Sequence, residues 1–188
     1  MAGDAEATKK RLLAAARAEF AQHGIAGARV DRIAAESGSN KAQIYHYFGS
    51  KDGLFDAVFN EIVVGTTSET PIDPLDLPEY AGKLFDRYEQ DPEIQRLATW
   101  YRLERSTADD PLELIMASNK HKVEAIAKAQ ADGLLPSHYE PIVLLGLVLH
   151  LAALWAGMTP EYALMVSRTS TAERRKVVTD AVAALLKV

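Results

Sequence analysis

A chain of 188 residues that is 48% hydrophobic and 25% charged is long enough to bury a core and reads as soluble and globular. The absence of cysteine excludes disulfide scaffolds, thiolate zinc sites and cysteine nucleophiles. The net charge of −5 argues against indiscriminate coating of nucleic acid, yet it averages unlike parts: residues 1–52 carry eight Lys/Arg against six Asp/Glu, and residues 53–188 thirteen against twenty.

The first residues lack a basic, apolar, small-residue leader pattern, so the chain is expected in the cytoplasm. Hydrophobic spacing is helical almost throughout, which predicts an all-α fold. The first helix is expected over 8–23, with Leu13, Ala16 and Phe20 on one stripe and Gly24 closing it. Short helices follow over 30–37 and 41–48, then one over 51–64 capped by Ser50. Residues 65–78, rich in Thr, Pro and Asp, read as a connection. Beyond them the pattern predicts helices over 78–89, 92–107, 111–131, 139–158 and 171–187. Asp91-Pro92 and Asp110-Pro111 supply cap-then-proline starts, while Ser137/Glu140 and Ser170/Glu173 have capping-box spacing. Residues 142–158 are apolar except for His150, but their glycines and missing basic flanks favour a bundle helix over a membrane span.

Residues 30–49 carry the functional signal. Two short helices joined by a four-residue turn containing Gly38 make a helix-turn-helix layout, whose second helix enters a DNA major groove. Ala34 is small where the helices cross, Gly38 tolerates positive φ, and Ile44 fills the angle with Ile33. Asn40 and Gln43 fit a capping box, so Gln43 is either occupied with backbone amides or free to reach a base such as adenine. Lys41 is a solvated lysine or a groove contact, and Ala42 can rest on a thymine methyl. Tyr45 and Tyr47 project on different sides of the helix. His46 reads first as solvent-facing, and Phe48 as core.

The run Gly24…Val30-x-x-Ile33-Ala34…Gly38…Ile44-Tyr45-x-Tyr47-Phe48-x-Ser50-Lys51-x-x-Leu54 resembles the DNA-binding domain of the tetracycline-repressor (TetR) family. The resemblance implies a helix-turn-helix domain at 1–52 and a helical ligand-binding and dimerisation domain at 53–188. It places Tyr45 and Tyr47 near phosphates and base edges, and Lys51 near phosphate. Ala28 and Arg29 stand where small hydroxyl residues are common; Arg29 offers a charged phosphate contact but leaves the second helix without an evident cap. Ser39-Asn40 is a second departure from the usual pair.

One module with four or five phosphate-capable side chains binds weakly, whereas specific regulators reach roughly 10⁻⁸–10⁻¹¹ M, so a homodimer on double-stranded operator DNA is expected. On a continuous 139–158 helix, Gly146, His150, Ala153 and Gly157 share a small face and Trp155 lies opposite. With Val178, Ala181, Val182 and Leu185 of the last helix, that small face is the expected dimer surface; packing inside one subunit is the alternative. Trp155 is expected to meet Trp100 and Tyr101, near Phe85, Tyr88, Leu97 and Met116, around a small apolar or aromatic effector. Plain core packing explains the same aromatics. The resemblance implies repression relieved by an inducer; a bundle that only dimerises or binds protein is the alternative. No phosphate loop, metal-ligand spacing or nucleophile elbow is present, so no enzyme, cofactor or metal is expected.

Overall fold

Every element of the computed structural model is helical across the described residues, 2–105 and 112–187, with side chains described from residue 4. The order is α1 (Ala2–Gly27), α2 (Val30–Glu36), α3 (Lys41–Phe48), α4 (Lys51–Glu69), α5 (Leu77–Gln90) and α6 (Glu93–Glu104). Then come α7 (Glu113–Ala131), α8 (Pro141–Ala152), a 3₁₀ turn (Leu154–Gly157), α9 (Pro160–Met165) and α10 (Thr171–Leu185). The all-α expectation holds.

The boundaries differ where tertiary contacts override local pattern. Helix α4 runs to Glu69, five residues into the expected connection, because its last turns are held from outside: Thr67 and Ser118 share a 3.2 Å hydroxyl bond and Glu69 pairs with Arg87. Helix α5 begins earlier than expected, with the Asp76 carboxylate accepting from the Glu79 N–H at 3.1 Å. The expected 139–158 helix is two elements, since α8 stops at Ala152. The Trp155 indole N–H donates to the Arg174 carbonyl at 3.2 Å, with the Arg174 guanidinium 5.5 Å from the ring centre. That anchoring takes the chain off the helical path. The unanticipated α9 starts at Thr159-Pro160, with the Thr159 hydroxyl accepting from the Tyr162 N–H. Ser170 and Glu173 form the expected capping box, whereas Glu140 precedes α8 without a side-chain cap bond. The Asp110-Pro111 start lies outside the described residues.

Two compact units result: residues 1–64 with 93–112, and residues 65–92 with 113–188. The division expected at 52/53 falls inside α4, and α6 packs with the first unit, against α1. The first unit buries Leu12, Phe20, Ile33, Ile44, Leu54 and Phe55 completely. Phe20 meets Phe55 edge-on at 5.2 Å, and Tyr101 stacks on Phe59 at 5.0 Å. In the second unit, α5, α8 and α10 enclose Leu84, Phe85, Leu144, Val148, Val178 and Val182. Arg175 of α10 lies over Gly82 between Glu79 and Asp86, each 2.8 Å away, where a Cβ on Gly82 would strike the guanidinium. Among the described residues no helix is long and apolar enough to cross a membrane.

Candidate nucleic-acid interface

The elbow between α2 and α3 is built from short-range backbone chemistry. Gly38 takes φ 63°, which lets the Ser39 N–H reach back to the Ala34 carbonyl at 2.9 Å and satisfies the end of α2. Arg11 of α1 donates to the Ser37 carbonyl at 3.3 Å, tying the turn to the first helix. Ile33 and Ile44 are fully buried and Ala34 nearly so, as the crossing requires. Helix α3 then opens on a complete capping box: Gln43 N–H to Asn40 Oδ1 at 2.9 Å, and Asn40 N–H to Gln43 Oε1 at 3.2 Å.

With Ile44 inward, helical geometry puts Lys41, Ala42, Tyr45 and His46 on the outer face, and all four are exposed. Tyr45 is 49% exposed. Gln43, Tyr47 and Phe48 are half-buried, so Phe48 is less enclosed than expected. Asp31 receives Lys41 and lies 3.7 Å from Arg29, so its carboxyl is held below the usual range by Lys41 first and Arg29 after it. Lys51 donates to the carbonyls of Ala26 and Ala28 at 3.1 and 3.3 Å. It therefore closes the end of α1, a structural task beside the phosphate contact expected of it.

Two residues the sequence did not single out hold this head together. Glu19 of α1, with a side chain 10% exposed, accepts from the Arg29 N–H at 2.8 Å and pairs with Arg32 at 2.6 Å. It supplies the cap that Arg29 cannot. Burial acts to raise its pKa, but Arg32 and the Arg29 N–H outweigh burial and hold the carboxyl below its ordinary value. The second residue is Glu104 of α6. Helix α1 breaks at Gly24 (φ 73°, ψ 179°), leaving unsatisfied backbone groups on both sides. Glu104 accepts from the N–H groups of Ile25 and Ala26 at 3.1 and 2.6 Å. Trp100, one turn earlier, donates its indole N–H to the Ala21 carbonyl at 3.4 Å. The next residue, Arg105, reaches Asp52 at 3.2 Å and Asp56 at 3.0 Å on α4. No local signal reveals these pairs, which are separated by about fifty to eighty positions.

The residues expected around an effector are divided between the units. Leu97, Trp100 and Tyr101 belong to the first: Leu97 is fully buried, Trp100 bonds to α1 and Tyr101 stacks on Phe55 and Phe59. In the second, Phe85 is sealed in the core, Tyr88 and Trp155 border it, and Met116 is 60% exposed. The expected dimer residues also separate. Val178 and Val182 are fully buried within the protomer's own core, which corrects their expected place on the dimer surface in favour of packing inside one subunit. Gly146 and His150 share an outer face of α8, where the His150 ring meets the Gly146 carbonyl at 2.7 Å. Ala153 and Gly157 lie beyond the end of α8, so they do not continue its face. Ala181 and Leu185 are half-buried on α10.

Known proteins match both the N-terminal and the C-terminal parts of the chain. The family described as "Bacterial regulatory proteins, tetR family" matches residues 12–58, and "Tetracyclin repressor-like, C-terminal domain" matches residues 76–183. The HTH-type transcriptional repressor SCO4008 of Streptomyces coelicolor is 40% identical over 161 residues, 85% of this chain and 83% of that protein. The HTH-type transcriptional repressor NicS of Pseudomonas putida is 34% identical over 50% of this chain and 47% of its own length. The solved structure of SCO4942 from Streptomyces coelicolor superposes with a TM-score of 0.84 at 39% identity, covering 95% of this chain and 97% of that one. Salmonella enterica GusR, at 21% identity and a TM-score of 0.71 over 96% of each chain, shares the fold. An elbow with a buried Ile44 and an outward α3, matched at both ends of the chain by these proteins, places it in the tetR family of bacterial regulatory proteins as a DNA-binding transcriptional regulator.

Proposed function

We propose that this chain is a cytoplasmic homodimeric repressor that reads operator DNA with α3 and releases it when a small apolar or aromatic molecule enters the C-terminal bundle. The observation that carries the DNA-reading part is the outer row Lys41, Ala42, Tyr45 and His46 set directly behind the fully buried Ile44. In that arrangement Tyr45, His46 and the Asn40–Gln43 end of α3 face base edges. Lys41, Arg29, Tyr47 and Lys51 serve the phosphates. Two copies related by a twofold axis present two such helices about one DNA turn apart, ~34 Å, to a partly palindromic site.

The outer face of α8, with Ile142 58% exposed and Val143 48% exposed beside Gly146 and His150, is the proposed dimer surface. Val177 of α10, 44% exposed, extends it together with Ala181 and Leu185. For the effector, Tyr88 and Trp155 at the border of the second core are the supporting groups. Release follows if the effector binds one arrangement of the subunits more tightly than the other. The complete enclosure of Phe85 favours a second reading, in which the bundle only dimerises.

The test is selection of duplexes from a randomised library by the full chain, followed by titration with apolar and aromatic metabolites. A palindromic consensus, lost in a Lys41→Ala, Tyr45→Ala double variant that keeps its dimer, is the expected result. Retained affinity in that variant removes α3 from the interface, and a consensus that no small molecule weakens favours the second reading.

A further inference from the structure

The capping box of α3 does more than start a helix. Both of its bonds are made by side-chain oxygens, because both partners are backbone N–H donors: Asn40 Oδ1 takes the Gln43 N–H and Gln43 Oε1 takes the Asn40 N–H. Each amide is thereby fixed in orientation, with its oxygen turned to the backbone and its NH₂ turned away. Among the described residues neither NH₂ group has an acceptor. The first N–H groups of the helix add their positive end, while the Lys41 ammonium, next in sequence, is held by Asp31 in the free protein. The leading edge of α3 therefore offers donors.

We infer that this edge selects guanine, with Gln43 as the specificity-determining residue. The inference rests on the proposal that α3 enters the major groove. An amide that reads adenine uses its oxygen and nitrogen together on one base edge, accepting from N6 and donating to N7. Oε1 keeps a second lone pair, but its bond to the Asn40 N–H holds it toward the backbone, so the outward group of Gln43 is its NH₂. What remains is the NH₂ group, whose complement is an edge with acceptors side by side. Guanine presents N7 and O6 in that way, whereas cytosine presents a donor at N4. Replacing that guanine by cytosine on the same strand sets donor against donor.

Gln43→Glu separates this account from its rivals. A glutamate still accepts the Asn40 N–H and suits the first turn of a helix, so the cap survives while the outward donor becomes an acceptor. Duplexes selected by the unaltered chain are expected to hold guanine at one position of each half-site, with about 5- to 100-fold loss when it becomes cytosine. Gln43→Glu is expected to invert that preference at the same position and leave the others unchanged. Gln43→Met, which lacks both groups, is expected to lose preference there without gaining another and stands in should the glutamate variant not fold. An equal loss by Gln43→Glu on all duplexes, as a phosphate contact would give, overturns the inference, as does an unchanged preference. Failure of the unaltered chain to select any consensus refutes instead the reading of α3 as a DNA-binding helix.

Discussion

Glu104 and Ile25 are joined across 79 positions by a carboxylate that accepts the Ile25 N–H at 3.1 Å and serves as the missing cap for the segment after the Gly24 break. The expected consequence of Glu104→Ala is a loss of about 1 kcal/mol, the scale of a helix cap. Amide exchange at Ile25 and Ala26 is expected to quicken severalfold while amides in the middle of α1 keep their protection. Unchanged exchange at both positions would show that water replaces the carboxylate without loss.

The acid limb of stability reports on Glu19. Its pKa is lower in the folded chain than its ordinary value of 4.5, so its stabilisation is complete above that pH and disappears as pH falls through the folded value. Glu19→Gln is expected to be less stable by about 1–2 kcal/mol at pH 7, the magnitude of a charged hydrogen bond reduced for the partial exposure of Arg32. The two denaturation curves should converge in acid. Curves that stay parallel through the whole acid limb would assign the shift to another carboxylate.

Asp31 restrains Arg29 and Lys41 in the free protein. Asp31→Asn is expected to raise affinity for any duplex severalfold and steepen the logarithmic salt slope by about 1, because one more cation becomes available to phosphate. Specificity falls accordingly. An unaltered slope would show that the ion pairs persist when DNA is bound.

The faces of α8 and α10 give opposite expectations for neighbouring sites. Gly146→Arg meets no atom within 4 Å of its Cβ in the protomer, so its effect is expected on dimerisation, as a tenfold or greater rise in dissociation measured by sedimentation. Val178→Ala empties a fully buried position and is expected to cost about 2 kcal/mol of unfolding free energy through the cavity it leaves. A stable dimer with arginine at 146 would move the interface off this face.

The helical periods, the Gly38 elbow and the Ile33–Ile44 plug were legible because each depends on residues within about fifteen positions of one another. The break at Ala153 was not, because Ala153-Leu154-Trp155-Ala156 holds no helix breaker and the turn is imposed by Trp155 reaching Arg174. The capping of α2 was equally hidden. Arg29 at its start has no acceptor to offer, and the acceptor comes from Glu19, a full helix earlier. Spacing located the aromatic residues on inward faces, but the same 3.6-residue period serves a packed core and a lined cavity, and it could not assign Trp100 and Tyr101 to α1 and α4.

The splice at Gly24 also sets the smallest portable reading head. A chimera that transplants residues 1–64 onto a foreign effector bundle would carry α1 with its Ile25 and Ala26 amides uncapped and Ala21 without its indole donor. Grafts that include residues 93–105 bring their own fasteners, and should keep the donor's sequence preference where shorter grafts lose it.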